Sequence, residues 1–240
     1  MTNVSPYDAI EYIDYSSGGT AAAFGDLFNN FNYTGVGALS SSTRGCWAGG
    51  DSTDANNTIC YITLASTGNA LDFGDPTVAR YYMMGAASAT RGLWCGGEWA
   101  TKMTTVDYIT IASTGNAIDF GDLLNIAMYA GSAANTVTAI VGGGSTNGSD
   151  SGIVDVIQER TIASTGNFSD FGDLSQANRT LTAASSSTRV VFGGGQNSGS
   201  VLTNEIQYIT IASAGNAVDF GDLLQVTDAM ASASAVQGNL

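Results

Sequence analysis

Residues 108–122 read Tyr108-Ile-Thr-Ile-Ala-Ser-Thr-Gly-Asn-Ala-Ile-Asp-Phe-Gly-Asp122, and this phrase returns throughout the chain. It stands almost intact at 61–75 and 208–222 and has drifted at 159–173. At 12–26 it is worn down to its opening Tyr-Ile and its closing Phe-Gly-Asp. The closing glycines, Gly25, Gly74, Gly121, Gly172 and Gly221, are 49, 47, 51 and 49 residues apart. A period near fifty marks one supersecondary unit repeated in a stack or around an axis.

Working outward from the phrase, one unit is predicted to hold four short strands. Residues 83–88 are small and apolar, and Ala-Thr-Arg91 makes a turn. Residues 92–95 form a strand that stops at Gly96-Gly97, and a loop follows over 98–104. Residues 106–112 alternate in polarity, as a half-buried strand does. Ser113-Thr-Gly-Asn116 is a tight turn suited to positive φ, and 117–120 is the fourth strand. Four short strands per repeat of about fifty residues predict a β-propeller blade.

The first strand of each unit is built of small residues, Gly85-Ala-Ala-Ser88 and Gly131-Ser-Ala-Ala134 among them, as crowding at a central axis requires. The phase of the repeat puts the chain's start just after a second strand and its end within one. The expectation is therefore an all-β, five-bladed propeller of four-stranded antiparallel blades, closed by pairing of the N- and C-terminal strands. Its blades would span 1–27 with 228–240, 28–77, 78–124, 125–175 and 176–227, in one domain.

Composition narrows the function classes. Of 240 residues only 12% are charged, with 31 Gly and 2 Pro, which is too apolar for disorder and too aperiodic for collagen. No apolar run reaches the roughly 18 residues that span a bilayer. The first ten residues lack the basic and apolar regions of a secretion signal, and none is expected. A net charge of −14, with Lys102 the single lysine, speaks against nucleic acid as a partner. Cys46, Cys60 and Cys95 have no metal-like spacing and read as buried thiols, with a Cys46–Cys60 disulfide as the alternative.

The double glycines at 49–50, 96–97, 143–144 and 194–195, with Asn57-Thr-Ile-Cys-Tyr61 and Asn204-Glu-Ile-Gln-Tyr208 after them, resemble the kelch repeat. Phe73, Phe120, Phe171 and Phe220 stand where kelch proteins usually carry tryptophan, so the resemblance is to a divergent, kelch-like form. The full phrase, with Ser185-Ser-Ser-Thr-Arg189, resembles repeats in tail and other structural proteins of marine bacteriophages, cyanophages among them. That resemblance implies a virion component on tail or capsid. Its partners would be other virion structural proteins, or a glycan or receptor on the host surface; the alternative is a free-standing carbohydrate-binding lectin with repeated sites between blades.

Candidate chemistry is sparse. Asp-Phe-Gly recurs without His or a catalytic loop, and the triple glycines lack a following Lys-Ser or Lys-Thr, so kinase and phosphate-loop readings fail. No enzymatic activity, cofactor or membrane insertion is expected. The repeated Asn116, Asp119 and Asp122 offer oxygen ligands for Ca²⁺, but turn and strand-end hydrogen bonding explains them as well, and no metal site is assigned. Arg44, Arg91 and Arg189 are candidates for anion binding or for inter-blade salt bridges. Between repeats, the loops joining strands two and three and the connections between units vary, whereas the other turns do not. The variable set holds Phe31, Tyr33, Tyr81, Tyr82, Trp99, Lys102 and Tyr129, and a partner is expected to dock there.

Overall fold

The computed structural model describes residues 9–14, 16–28, 37–50 and 57–232. Among them the secondary structure is β apart from one 3-10 turn, Asp150–Gly152. Sheet 1 pairs β1 (Ala9–Tyr12) with β2 (Ala22–Asp26). Sheet 2 comprises β3 (Gly37–Ser40), β4 (Arg44–Ala48), β5 (Ile59–Thr63) and β6 (Leu71–Gly74). Sheet 3 comprises β7 (Met84–Ala87) and β8 (Arg91–Cys95), then a small hairpin of β9 (Glu98–Trp99) and β10 (Thr101–Lys102), then β11 (Thr105–Thr110) and β12 (Ile118–Asp122). Sheet 4 comprises β13 (Gly131–Ala134), β14 (Thr138–Gly142), β15 (Val156–Thr161) and β16 (Ser169–Asp173).

The last unit opens with β17 (Asn178–Arg179), which pairs with β20 (Gln196–Asn197). Sheet 5 itself comprises β18 (Thr182–Ser185), β19 (Arg189–Gly193), β21 (Glu205–Thr210) and β22 (Val218–Asp222). Sheets 2 to 5 are antiparallel, with each strand beside its chain neighbour in the sheet. The expected four-strand unit is therefore present, with two adjustments. The fourth strand runs on to Asp122, two residues past its expected end, and the 98–104 loop folds into a hairpin through Ala100 at φ 53. The expected pairing of the chain ends joins the N-terminal strand to residues toward 240, and 233–240 lie outside the described residues.

The hydrophobic core lies between sheets. Trp94, Ile109 and Ile111 of sheet 3 pack with Leu39, Ile59 and Phe73 of sheet 2. Leu93, Val106 and Phe120 of sheet 3 pack with Val141 and Ile162 of sheet 4. Ile140, Ile157 and Phe171 of sheet 4 meet Val190, Phe192 and Ile209 of sheet 5, and Phe24 of sheet 1 meets Cys60 and Ile62 of sheet 2. Two-faced burial explains the apolar runs of second strands such as β8 and β14. The phenylalanine of the repeated phrase is the key residue in each layer. Phe24, Phe73, Phe120 and Phe171 are 2–9% exposed, and burying each stabilises by about 2–3 kcal/mol. Phe220 of sheet 5 is 58% exposed.

Two repeated polar joints set the spacing of the sheets. In the first, the turn between the third and fourth strands of one sheet latches onto the outer strand of the sheet before it. The Gly115 and Ala117 N–H groups donate to the Phe73 and Asp75 carbonyls at 2.7 and 2.8 Å, and Asn116 Oδ1 accepts from the Asp75 N–H at 3.1 Å. The same set recurs with Asn69 on Asp26, Asn167 on Asp122 and Asn216 on Asp173. The approach is so close that a Cβ on Gly74 would lie 2.5 Å from the Gly115 carbonyl oxygen, so glycine is required there on steric grounds.

In the second joint, a clamp, a β-bulge on the third strand turns one side chain toward the connection that enters the unit. Gln158 Oε1 accepts from the Leu124 N–H at 2.7 Å, and Gln207 Oε1 accepts from the Ser175 N–H at 2.8 Å. Asp107 takes the Thr77 N–H and hydroxyl, and the Cys60 sulfur takes the Phe28 N–H. The bulge falls at this residue in each sheet, and in sheet 1 it falls at Glu11.

Candidate functional site

The connection entering each unit and the loop between its second and third strands lie at the same end of the molecule, because they pair with each other. Tyr81 and Glu98 exchange backbone hydrogen bonds at 3.0 and 2.9 Å. Met128 and Ser145 do the same in sheet 4, and β17 pairs β20 beside sheet 5. At this end the sequence differs from unit to unit, whereas the latch and clamp are repeated throughout.

The connection passes through a left-handed residue at one fixed position: Tyr82 (φ 57), Tyr129 (φ 57), Thr180 (φ 53) and Ala229 (φ 51). For a bulky residue this backbone costs about 1 kcal/mol or more, and packing must hold it. Part of the hold comes from a chain of bonds between units, the Ala229 N–H to the Thr180 carbonyl at 2.9 Å and the Thr180 N–H to the Tyr129 carbonyl at 2.7 Å. The residue after each one, Met83, Ala130, Leu181 and Met230, lines a cavity of about 610 Å³ between the first strands. The left-handed residues thus stand at its rim.

Tyrosine occupies that rim position in two consecutive units, and the rings assemble there. Tyr82 and Tyr129 are 4.5 Å apart between centroids, Tyr81 meets Tyr82 edge-on at 4.8 Å, and Trp99 meets Tyr81 edge-on at 6.5 Å. The Tyr residues are half-buried and Trp99 is exposed. Burial, reinforced by a hydrogen bond with Tyr82, pushes the Tyr129 hydroxyl above the usual phenol range. Burial and the Glu98 charge do the same to Tyr81, and both phenols stay neutral at physiological pH.

Of the residues expected at this end, the structure brings together Tyr81, Tyr82, Trp99, Tyr129 and, beside them, Lys102. Phe31 and Tyr33 lie outside the described residues. Lys102 is paired with Glu98 at 3.1 Å across the β9–β10 hairpin. The sequence reading missed its continuation: Arg179 pairs with Asp150 at 2.5 Å, donates to Gln196 Oε1 at 2.8 Å and to the Gly148 carbonyl at 3.0 Å. No spacing signal links Asp150 to Arg179, because the contact joins loops of different units.

The remaining arginines are elsewhere. Arg44, Arg91 and Arg189 begin the second strands, at the opposite end, and each stacks over the tyrosine of its own sheet. The guanidinium carbons lie 4.4, 4.4 and 4.2 Å from the ring centroids of Tyr61, Tyr108 and Tyr208. Arg44 and Arg91 also reach the next sheet, donating to the Ile111 and Ile162 carbonyls at 2.8 and 3.0 Å. For Arg44 and Arg91 the contact with the next sheet is thus made to a carbonyl, and among the described residues no carboxylate pairs with the three arginines. Carbonyl contact wins because the turn of the next sheet, already fixed by the latch, offers its unpaired C=O at that point.

Inside the chain, Arg80 and Asp107 form an ion pair at 2.9 Å with both side chains 0% exposed. Arg80 also donates to the carbonyls of Gly96, Val78 and Trp94, so the charge is surrounded by acceptors. The three cysteines are free and buried, so no Cys46–Cys60 disulfide is present, and burial lifts each thiol to about 12. Among the described residues no group of three His, Cys, Asp or Glu could hold a metal, and no helix is long and apolar enough to cross a membrane. The chain matches no family model and no curated protein.

Proposed function

We propose that the chain is a five-bladed, kelch-like propeller that serves, without catalysis, as an attachment module of a phage virion, docking its partner through the variable-loop end. What supports closure is the complement between the free edge of sheet 5 and the turn of sheet 1. In the repeat's register Gly19, Thr20 and Ala21 stand where Gly68, Asn69 and Ala70 do, and Glu11 stands where Cys60, Asp107, Gln158 and Gln207 do. Their targets are the Phe220 carbonyl, both backbone groups of Asp222, and the Leu224 N–H. Phe220 and Leu224 are 58% and 104% exposed. Residue 232 already follows the pattern. Ser132, Ser185 and Ser232 hydroxyls donate to the carbonyls of their counterparts one unit earlier, Gly85, Ala134 and Ala183, at 2.9, 2.7 and 2.5 Å.

The observation that carries the functional reading is the contrast between the two ends. Latches, clamps and arginine stacks hold a uniform frame, while aromatic and charged side chains that differ by unit gather at the rim. A rigid frame presenting individual loops is a binding scaffold. The resemblance of the repeat to marine phage tail and structural proteins supports the virion as its setting. The latches run between sheets and Arg44 and Arg91 reach across them, which favours docking at the variable-loop end over repeated lectin sites between sheets. The reading is tested on purified particles: the chain should band with them at fixed copy number and be released or lost on Trp99→Ala. Particles complete without it would overturn the reading.

A further inference from the structure

We infer that the Tyr81–Tyr82–Tyr129–Trp99 cluster is one binding site for an uncharged glycan chain. This rests on the reading of the variable-loop end as the docking end and names what docks there.

Charge is the first argument. All seven cationic side chains fall among the described residues, and each is engaged within the chain. Arg44, Arg91 and Arg189 lie over tyrosine rings, Arg80 holds Asp107, and Arg160 donates to the Thr165 carbonyl. At the docking end Lys102 is tied to Glu98 and Arg179 to Asp150. At the docking end a polyanion, a phosphate or a sialylated chain therefore meets two cations that are both ion-paired, on a molecule of net charge −14. The same pairing removes Glu98 and Asp150 as anchors for a cationic peptide.

Geometry is the second. Four rings in edge-to-face and tilted contact form one cluster, two of them held by left-handed backbone at the cavity rim. Aromatic faces take the C–H surface of a pyranose, and neutral amide and hydroxyl groups take its hydroxyls. Neutral groups of this kind stand in the loops at the same end: the Gly148 carbonyl and Gln196 Oε1 both accept from Arg179, which also pairs with Asp150. The Trp99 indole N–H and the Gln196 NH2 group make no hydrogen bond among the described residues. Thr180 and Ala229 replace tyrosine in the next two units, so among the described residues the ring cluster stands in one place, on the connections entering sheets 3 and 4.

The test uses the full chain on an array of neutral hexose and N-acetylhexosamine oligosaccharides beside sialylated and sulfated counterparts. At least one neutral oligosaccharide should bind, quench tryptophan fluorescence, and hold its affinity as salt is raised. Trp99→Ala and Tyr129→Ala should each weaken binding roughly tenfold or more, with Tyr129→Phe close to wild type. Trp99 is exposed on a hairpin, so its variant keeps the test open should Tyr129→Ala misfold. Binding confined to charged glycans, or indifferent to both alanine variants, overturns the inference. A blank array with Trp99→Ala still releasing the chain from particles overturns it too, and leaves the docking reading standing.

Discussion

Asn116 Oδ1 accepts the backbone N–H of Asp75 at 3.1 Å, across the boundary between two sheets. The bond is flanked by two backbone bonds, so the turn of one unit continues the edge of the unit before it. Asn116→Ala leaves the Asp75 N–H without its acceptor. A loss of about 1 kcal/mol in urea unfolding is expected, with Asn167→Ala similar, because the joint is the same.

Glycine in the closing motif gives a sharper comparison. Gly121 (φ 137) and Gly221 (φ 140) share one backbone conformation, but a Cβ on Gly121 would lie 2.6 Å from the Gly166 carbonyl oxygen whereas one on Gly221 meets nothing. If sheet 1 seats on sheet 5, both alanine variants lose comparable stability, several kcal/mol, from clash as well as strain. Gly221→Ala costing only the φ strain would place that edge in solvent.

The buried Arg80–Asp107 pair has a neutral counterpart in the same chain, since Asn178 and Gln207 hold the equivalent positions. Asn178 Nδ2 donates to the Gly194 carbonyl just as Arg80 Nε donates to Gly96. Asp107→Ala strands a buried guanidinium, and thermal unfolding should register a loss of about 3–5 kcal/mol. The double substitution R80N/D107Q should recover most of that loss.

Cysteine chemistry follows from burial. With each thiol pushed up to about 12 by desolvation, the native protein should react with no equivalents of a disulfide reagent at pH 8. The three free cysteines should all titrate in denaturant. Early reaction of any one would show that the inter-sheet core opens locally.

Much of the frame was legible because the repeat constrains it. The four-strand unit, the turn at Ser113-Thr-Gly-Asn116 and the strand-end role of Asp119 could be read from one copy against another. Asp119 Oδ1 accepts the Gly121 N–H at 3.3 Å, and Asp72 and Asp219 do the same for their glycines. Asn116 was readable only as a turn residue, since its bond crosses to another unit. The clamp was invisible, because Cys, Asp and Gln fill one role and share no chemical class beyond a hydrogen-bond acceptor. The arginines were assigned anionic or charged partners, whereas each lies over the tyrosine of its own sheet, and Arg44 and Arg91 add a carbonyl of the next one. At the docking end the aromatic residues stood out by composition, but the Arg179–Asp150 contact depends on how two units lie side by side.

Amide hydrogen exchange at Gly19 and Ala21, measured on the monomeric fraction, tests the closed ring most directly. Closure predicts protection matching that of Gly68 and Ala70, whose N–H groups donate to the Phe24 and Asp26 carbonyls at 2.8 Å. Exchange of Gly19 and Ala21 at the rate of an exposed loop, beside protected Gly68 and Ala70, would contradict it.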